Sequence, residues 1–358
     1  MPATGAVRSG SSPARRRDPT TAAVRENPVR GAPRPARPAP RRRRSPAPGT
    51  PRSADRPPRR CHQQVGAEVR YDTARTRGTM TAIRVVTDSA CDLPDTLLTE
   101  LGVGLVPLHI RFGAEELVDR TELSTKEFWA RTAAAAALPE TSAPSPGAFH
   151  QAFERMAAEG ATGVVCVNLS SRLSATIEAA RQAANEVAPG LPVRVVDSRS
   201  VTMGEGLVVV EAAERAASGG SLDEVAAAAE ASVSHLKVYG VIDTLDNLRR
   251  GGRIGGAAAL LGSMLAIKPV IEVRDGVVEQ ESKQRTRARS LRYLADKVRA
   301  AGPLRRFAVF GADAADFDAF LGLLADVPSA SARLVGDIGP VIGTHAGPGA
   351  VGVAWLPA

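Results

Sequence analysis

Four short stretches place hydroxyl groups at the ends of apolar runs: "TDS" (87–89), "TSAPS" (141–145), "SSRLSAT" (170–176) and "DSRS" (197–200). Serine and threonine supply O–H donors there. The free N–H groups of a following helix add the positive end of its dipole, and together these favour an anion. The same residues also serve as ordinary helix caps, Ser145 before Pro146 above all. A second set is cationic. "RRGGRIGG" (249–256) sets Arg250 and Arg253 among glycines that admit close backbone approach. "KQRTRAR" (283–289) carries Lys283, Arg285 and Arg287 at strand spacing, hence on one face. A guanidinium in either stretch pairs with a carboxylate or phosphate, or with a neighbouring acid on a solvated edge. Near the C-terminus, "VIGTHAGPGA" (341–350) holds His345 in what reads as a glycine loop. The imidazole is either an ordinary satisfied side chain or a group that a ligand's head approaches across those glycines.

Several chemistries lack their residues. There is no GxxxxGK[ST], no GxGxxG following a strand, no GxSxG and no HExxH, which disfavours phosphate-loop hydrolysis, dinucleotide redox, α/β-hydrolase and zincin mechanisms. The three cysteines, Cys61, Cys91 and Cys166, form no CxxC and no Cys/His cluster, so neither a metal site nor a disulfide framework is signalled and no cofactor is implied. The longest apolar run, "AAALLGSMLAI" (257–267), is too short to span a bilayer. It reads as a core helix, or as a small-residue wall beside a slender apolar ligand. With no transmembrane segment and no signal peptide, a cytoplasmic protein is expected.

Charge divides the chain. Residues 1–80 hold 19 arginines against 5 acids, whereas the remaining 278 residues hold 27 basic and 33 acidic groups. The basic character belongs to a Pro/Arg-rich tail with too few apolar residues to fold, and no nucleic acid is expected on the body. Three readings of residues 1–80 stand: a disordered anion-binding arm through Arg41 to Arg44, a targeting segment, or a segment not translated, with Met80 as the start.

The elements that must position the candidate residues follow from periodicity. "IRVVTDS", "VGLVPLHIRFG", "GVVCVNLS" and "LPVRVVDS" read as buried strands. "LPDTLLTEL", "STKEFWARTAAAAA", "GAFHQAFERMAAEG", "LSATIEAARQAANEVAPG" and "GEGLVVVEAAERAASGG" read as helices. Ser221 and Glu224 form a capping box for one more. Alternation of this kind gives a mainly parallel sheet covered on both faces. After about residue 235 the pattern changes. "KPVIEV" and "VVEQESK" flank Asp275-Gly276, a hairpin turn, and further αβ units follow. The expected organisation is α/β throughout: a tail (1–80), an N-terminal α/β domain (81–234) and a C-terminal mixed α/β domain (235–358), with a ligand between the two domains.

In this order the pieces "VVTDSACDLP", "TSAPSPGAF", "SSRLSAT", "VVDSRS", "IDTLDNLRRGGRIGG", "LAIKPVI", "KQRTRAR" and "GPVIGTHAGPGAVG" resemble the DegV family of bacterial fatty-acid-binding proteins. The resemblance covers residues 83–358. It implies a long-chain fatty acid buried between two α/β domains, no catalytic apparatus in the chain itself, and a separate ATP-dependent fatty acid kinase subunit. That partner receives the carboxylate and makes acyl-phosphate for phospholipid synthesis. By motif, Thr141 with neighbouring Ser142, and Ser174, hold the carboxylate. His345, Arg253 and Arg285 match groups near the pocket mouth or the partner surface. Two departures stand out: Arg172 and Ala175 occupy positions where the family usually has glycine, and alanine at a positive φ would be strained. The alternatives are a small-molecule kinase or transferase at the same sheet edge, with Asp88 or Asp197 as base, and a nucleic-acid-binding protein using the tail.

Overall fold

The computed structural model describes residues 82–260 and 267–358, all within one compact unit. The tail, with Arg41 to Arg44, Cys61 and Met80, lies outside the described residues, as does the second half of the apolar helix expected over 257–267. The first half, Gly255–Leu260, is a 3-10 segment.

The protein is α/β, and its described residues build three sheets. β1 (Ile83–Asp88), β2 (Gly104–Val106), β6 (Gly163–Asn168) and β7 (Val193–Asp197) form an all-parallel sheet in the order β2-β1-β6-β7. Its side chains alternate between two cores. Val86, Val164 and Cys166 pack on one face against α3 (Pro146–Ala158) and α4 (Thr176–Val187). Val85, Val165 and Val167 face the other way, toward α5 (Thr202–Ala217) and α6 (Leu222–His235). Both faces are covered, so β1 and β6 carry apolar residues on either side, with Val85-Val86 and Val164 to Val167 buried without alternation. Ser145 caps α3 with Pro146 in the first turn, and Ser221 and Glu224 form the reciprocal capping box of α6. α1 (Asp95–Glu100) and α2 (Thr125–Ala134) complete this part.

"VGLVPLHIRFG" is not one strand. It splits at Pro107 into β2 of the parallel sheet and β3 (His109–Phe112), which joins β4 (Glu115–Val118) and β5 (Glu140–Ser142) in a small antiparallel sheet. Proline donates no ladder bond, and the chain changes sheets there.

The third sheet is mixed, in the order β10-β9-β8-β13-β11-β12. Its strands are β8 (Lys237–Val241), β9 (Lys268–Arg274), β10 (Val277–Gln284), β11 (Leu304–Gly311), β12 (Leu334–Asp337) and β13 (Val351–Pro357). Only β11 and β12 pair in parallel. The hairpin turn is where "DG" places it, with Asp275 and Gly276 both at positive φ. α8 (Arg287–Ala300) and α9 (Phe317–Leu323) pack with the second apolar cluster of this sheet. α5 packs against strands of both large sheets, β1 and β6 on one side, β11 and β13 on the other. That sandwiching explains why "MGEGLVVV" is buried around the whole helix circumference. α7 (Asp246–Arg250) and α10 (Pro340–Ala346) pack on each other and carry the residues considered next.

Candidate functional site

The two hydroxyls reach one place from different sheets. Thr141 sits on edge strand β5, paired opposite Ile110 of β3. Ser174 ends a tight turn after β6, in which the N–H groups of Leu173 and Ser174 both donate to the carbonyl of Ser170. The Ser174 Oγ accepts from the Thr176 N–H at 3.3 Å and lies 2.9 Å from the Thr176 hydroxyl. Ser174 thus precedes the N-cap residue Ala175, and its oxygen takes up the first N–H of α4. With Thr176 as donor of the second bond, its own proton stays free for a ligand.

Thr141, Ser142, Ser174, Arg253 and His345 line one cavity of about 210 Å³. The rest of its wall is apolar: Leu108, Leu169 and Leu173 from the parallel-sheet side, Ile271, Val278 and Val341 from the mixed-sheet side. A second cleft of about 440 Å³, lined by Arg250, Asn247 and Thr344 among others, shares Thr141, Arg253 and His345 with the first. Those three residues thus form the boundary between an apolar interior and a polar mouth.

His345 does not lie in a loop. It ends helix α10, strapped at its C-terminal end by Asn247 Nδ2, which donates to the Thr344 carbonyl at 3.1 Å. Nor do the neighbouring glycines serve the ring. Gly343 makes room for Trp129 and Phe128, whose rings lie about 3 Å from where a Cβ would stand. The glycine that admits the imidazole is Gly251, where a Cβ would fall 2.3 Å from Nδ1. His345 Nε2 lies 3.0 Å from Thr141 Oγ1, whereas Nδ1 is buried with no hydrogen-bond partner. Burial, then the nearby Arg253 charge, lowers its pKa to about 4, so the ring is neutral at pH 7. A neutral imidazole carries one N–H. On Nδ1 that donor would be stranded. On Nε2 it donates to Thr141 and leaves the threonine proton for a ligand, and we assign that tautomer.

The cations fall elsewhere than expected. Arg253 spans the mouth by donating to the carbonyls of Leu173 at 3.0 Å and Gly251 at 2.7 Å, with no acidic partner among the described residues. Lys283, Arg285 and Arg287 do not share a strand face, because β10 ends at Gln284. Arg287 opens α8 and pairs with Asp316 and Asp243, while Arg285 is exposed and absent from the cavity wall. Ser142 is exposed, its hydroxyl donating to Glu116 at 2.9 Å. The two departures cause no strain: Ala175 has φ −81, and Arg172 is not at positive φ. Instead Arg172 reaches the hairpin tip, donating to the Asp275 carbonyl at 3.2 Å beside the Ser170 hydroxyl bond to Gly276. Asp88 is sealed in the core, accepting from Ala90 N, Leu169 N and Asn168 Nδ2, and cannot reach a substrate as a base. Asp197 is occupied by the N–H groups of Ser171 and Arg199. Asn247 and Gly251 were invisible as site residues, since what identifies them is contact with a helix almost a hundred positions away.

The described residues contain no cluster of three or more His, Cys, Asp or Glu fit for a metal, and no helix long and apolar enough to cross a membrane. Residues 82–358 match the family described as "Uncharacterised protein, DegV family". A DegV domain-containing protein of Streptomyces coelicolor is 40% identical over 275 residues, covering 76% of this chain and 97% of that protein. A solved DegV family protein from Thermus thermophilus, described for its fatty acid binding, is 35% identical with a TM-score of 0.71, covering 77% of this chain and 99% of that one. DegV of Bacillus subtilis, described as a fatty acid binding protein, is 28% identical with a TM-score of 0.69 over the same shares.

Proposed function

This chain belongs to the DegV family, and on that premise we propose that it binds a long-chain fatty acid in the apolar cavity. It then presents the carboxylate at the Thr141–His345 boundary to a separate ATP-dependent fatty acid kinase subunit. The observation that carries the reading is the cavity itself, apolar along its length and closed at one end by two hydroxyls and a neutral imidazole. The fatty acid binding described for the Thermus thermophilus and Bacillus subtilis proteins supports it.

The chemistry follows from a ligand with two incompatible ends. Burying the chain gains about 0.8 kcal/mol per methylene, roughly 10 kcal/mol gross for a long tail, and association consumes much of it. The carboxylate must not be buried unpaired. Thr141 and Ser174 each offer it one O–H, and neutral His345 secures the direction of the threonine proton. No lysine is among the described residues that line the cavity, and the Arg253 guanidinium there is engaged on the carbonyls of Leu173 and Gly251, so the carboxylate keeps an oxygen nucleophilic enough to attack the γ-phosphorus of ATP held by the partner, with ADP leaving. Arg250 and Arg253 at the mouth offset the negative charge brought together there. A cavity of 210 Å³ is below the roughly 300 Å³ of typical ligand sites. On this reading a full chain enters only if the walls from the two sheets part, and the Arg172 and Ser170 ties to the hairpin tip would oppose that opening.

Native mass spectrometry of the full chain purified from bacteria, followed by organic extraction, tests the reading. A bound long-chain fatty acid at one per chain is expected. Recovery of protein that is lipid-free and takes up none on incubation would refute it. ATP turnover by the protein alone, with fatty acid but no partner, would replace it with an enzyme.

A further inference from the structure

α10 has seven residues, three of them being Pro340, Gly343 and Thr344, and a helix so short and so composed does not persist unaided. Yet it carries His345, whose distance to Thr141 sets the head-group end of the cavity. Side chains from remote parts of the chain hold it. Asn247 ties the C-terminal end. At the N-terminal end the Gly339 N–H donates to Asp92 Oδ1 at 3.0 Å, a buried bond between residues 247 positions apart.

Asp92 sits at φ 53, a left-handed conformation that a non-glycine residue keeps only where its surroundings enforce it. Arg120, whose charge acts on Asp92, donates instead to the carbonyls of Leu93 and Ser89 and to Asp95. Asp92 Oδ2 is buried near the Thr202 hydroxyl of α5 but makes no hydrogen bond of normal geometry with it. The approach is also built in from the other side: a Cβ on Gly339 would stand 2.5 Å from Asp92 Oδ1. Around Asp92 lie Cys91 of its own turn, Arg120 and Asp119 after β4, and Glu205 and Thr202 of α5; its contact with α10 is through backbone alone.

We infer that Asp92 is a positioning residue for the head-group site: its carboxylate fastens the start of α10 and so sets where His345 meets Thr141. The inference rests on the proposed fatty acid site for its consequence, although the anchoring itself does not. Asp92 touches no ligand, so its effect falls on recognition of the head and not on burial of the chain.

The test uses the full chain carrying D92A, D92N or G339A. Gly339 has φ −71, so alanine is conformationally admissible there and disturbs the same contact through its Cβ alone. Affinities are measured for palmitic acid and for its methyl ester. D92A and G339A are expected to lose the preference for acid over ester about tenfold, with ester affinity within about twofold of wild type, and D92N, which keeps the acceptor, to restore it. Hydrogen exchange without ligand reads the anchor directly: amides 341–346 exchange faster in D92A and G339A, but not in D92N. Unchanged exchange in both variants, or equal losses for both ligands, overturns the inference. If D92A does not fold, G339A and D92N decide. Wild-type protein indifferent to acid and ester would refute the head-group reading while the exchange data still judged the anchor.

Discussion

Replacing Thr141 by valine removes one hydroxyl while keeping the branched shape that β5 presents to the cavity. The structure says what is lost. The threonine proton, freed because His345 Nε2 donates to Oγ1 across 3.0 Å, no longer reaches the carboxylate, and Nε2 loses its acceptor. A hydrogen bond to a charged group is worth about 1.5–3 kcal/mol, so the dissociation constant for palmitic acid should rise roughly tenfold to a hundredfold and more. The chain-binding wall is untouched, so palmitic acid methyl ester should lose little. Calorimetric titration of both ligands against wild type and T141V separates the two contributions. A T141V protein that binds the acid as wild type does, or loses acid and ester alike, would refute the assignment of Thr141 to the head group.

S174A should weaken acid binding through the same kind of bond, and because Ser174 also accepts from the Thr176 N–H, it should lower the melting temperature slightly, as loss of one hydrogen bond of about 1 kcal/mol does. R172G removes one of two ties between the cavity turn and the hairpin tip; stopped-flow displacement should show faster fatty acid release, and an unchanged rate would mean that the hairpin does not move. D92N should change the pH dependence of stability. Burial raises the Asp92 pKa to about 7, above its unfolded value, so the stability it contributes is full at low pH and is lost as pH rises toward 7. Relative to wild type, D92N should therefore gain about 3 kcal/mol between pH 5 and pH 8, read by denaturant unfolding at each pH; a constant difference would contradict it.

The large architecture was legible because each strand and helix of the two main sheets carries its own period and its own signal: Ser145-Pro146, the Ser221–Glu224 box, Asp275-Gly276. Two places were not. β2 and β3 read as one apolar run, and the break at Pro107 shows its meaning only in the different sheets the two strands join. α10 hides in "GPVIGTHAGPG" because its helicity is imposed by Asp92, Asn247 and the ring packing of Trp129 on Gly343, none of which is local. Thr141, Ser174, Arg253 and His345, singled out in the sequence, line one cavity, but the contacts that join them were not legible. Arg285 was grouped by a strand register that ends one residue too early. His345 was explained by the wrong glycines, since Gly251 approaches it from α7.

The most direct measurement is a crystal structure of the full chain with palmitic acid bound. One carboxylate oxygen should lie within about 3 Å of both Thr141 Oγ1 and Ser174 Oγ, with the chain running between Leu169 and Ile271. A carboxylate held instead by Arg253 or Arg285, or a chain lodged outside this cavity, would contradict the account.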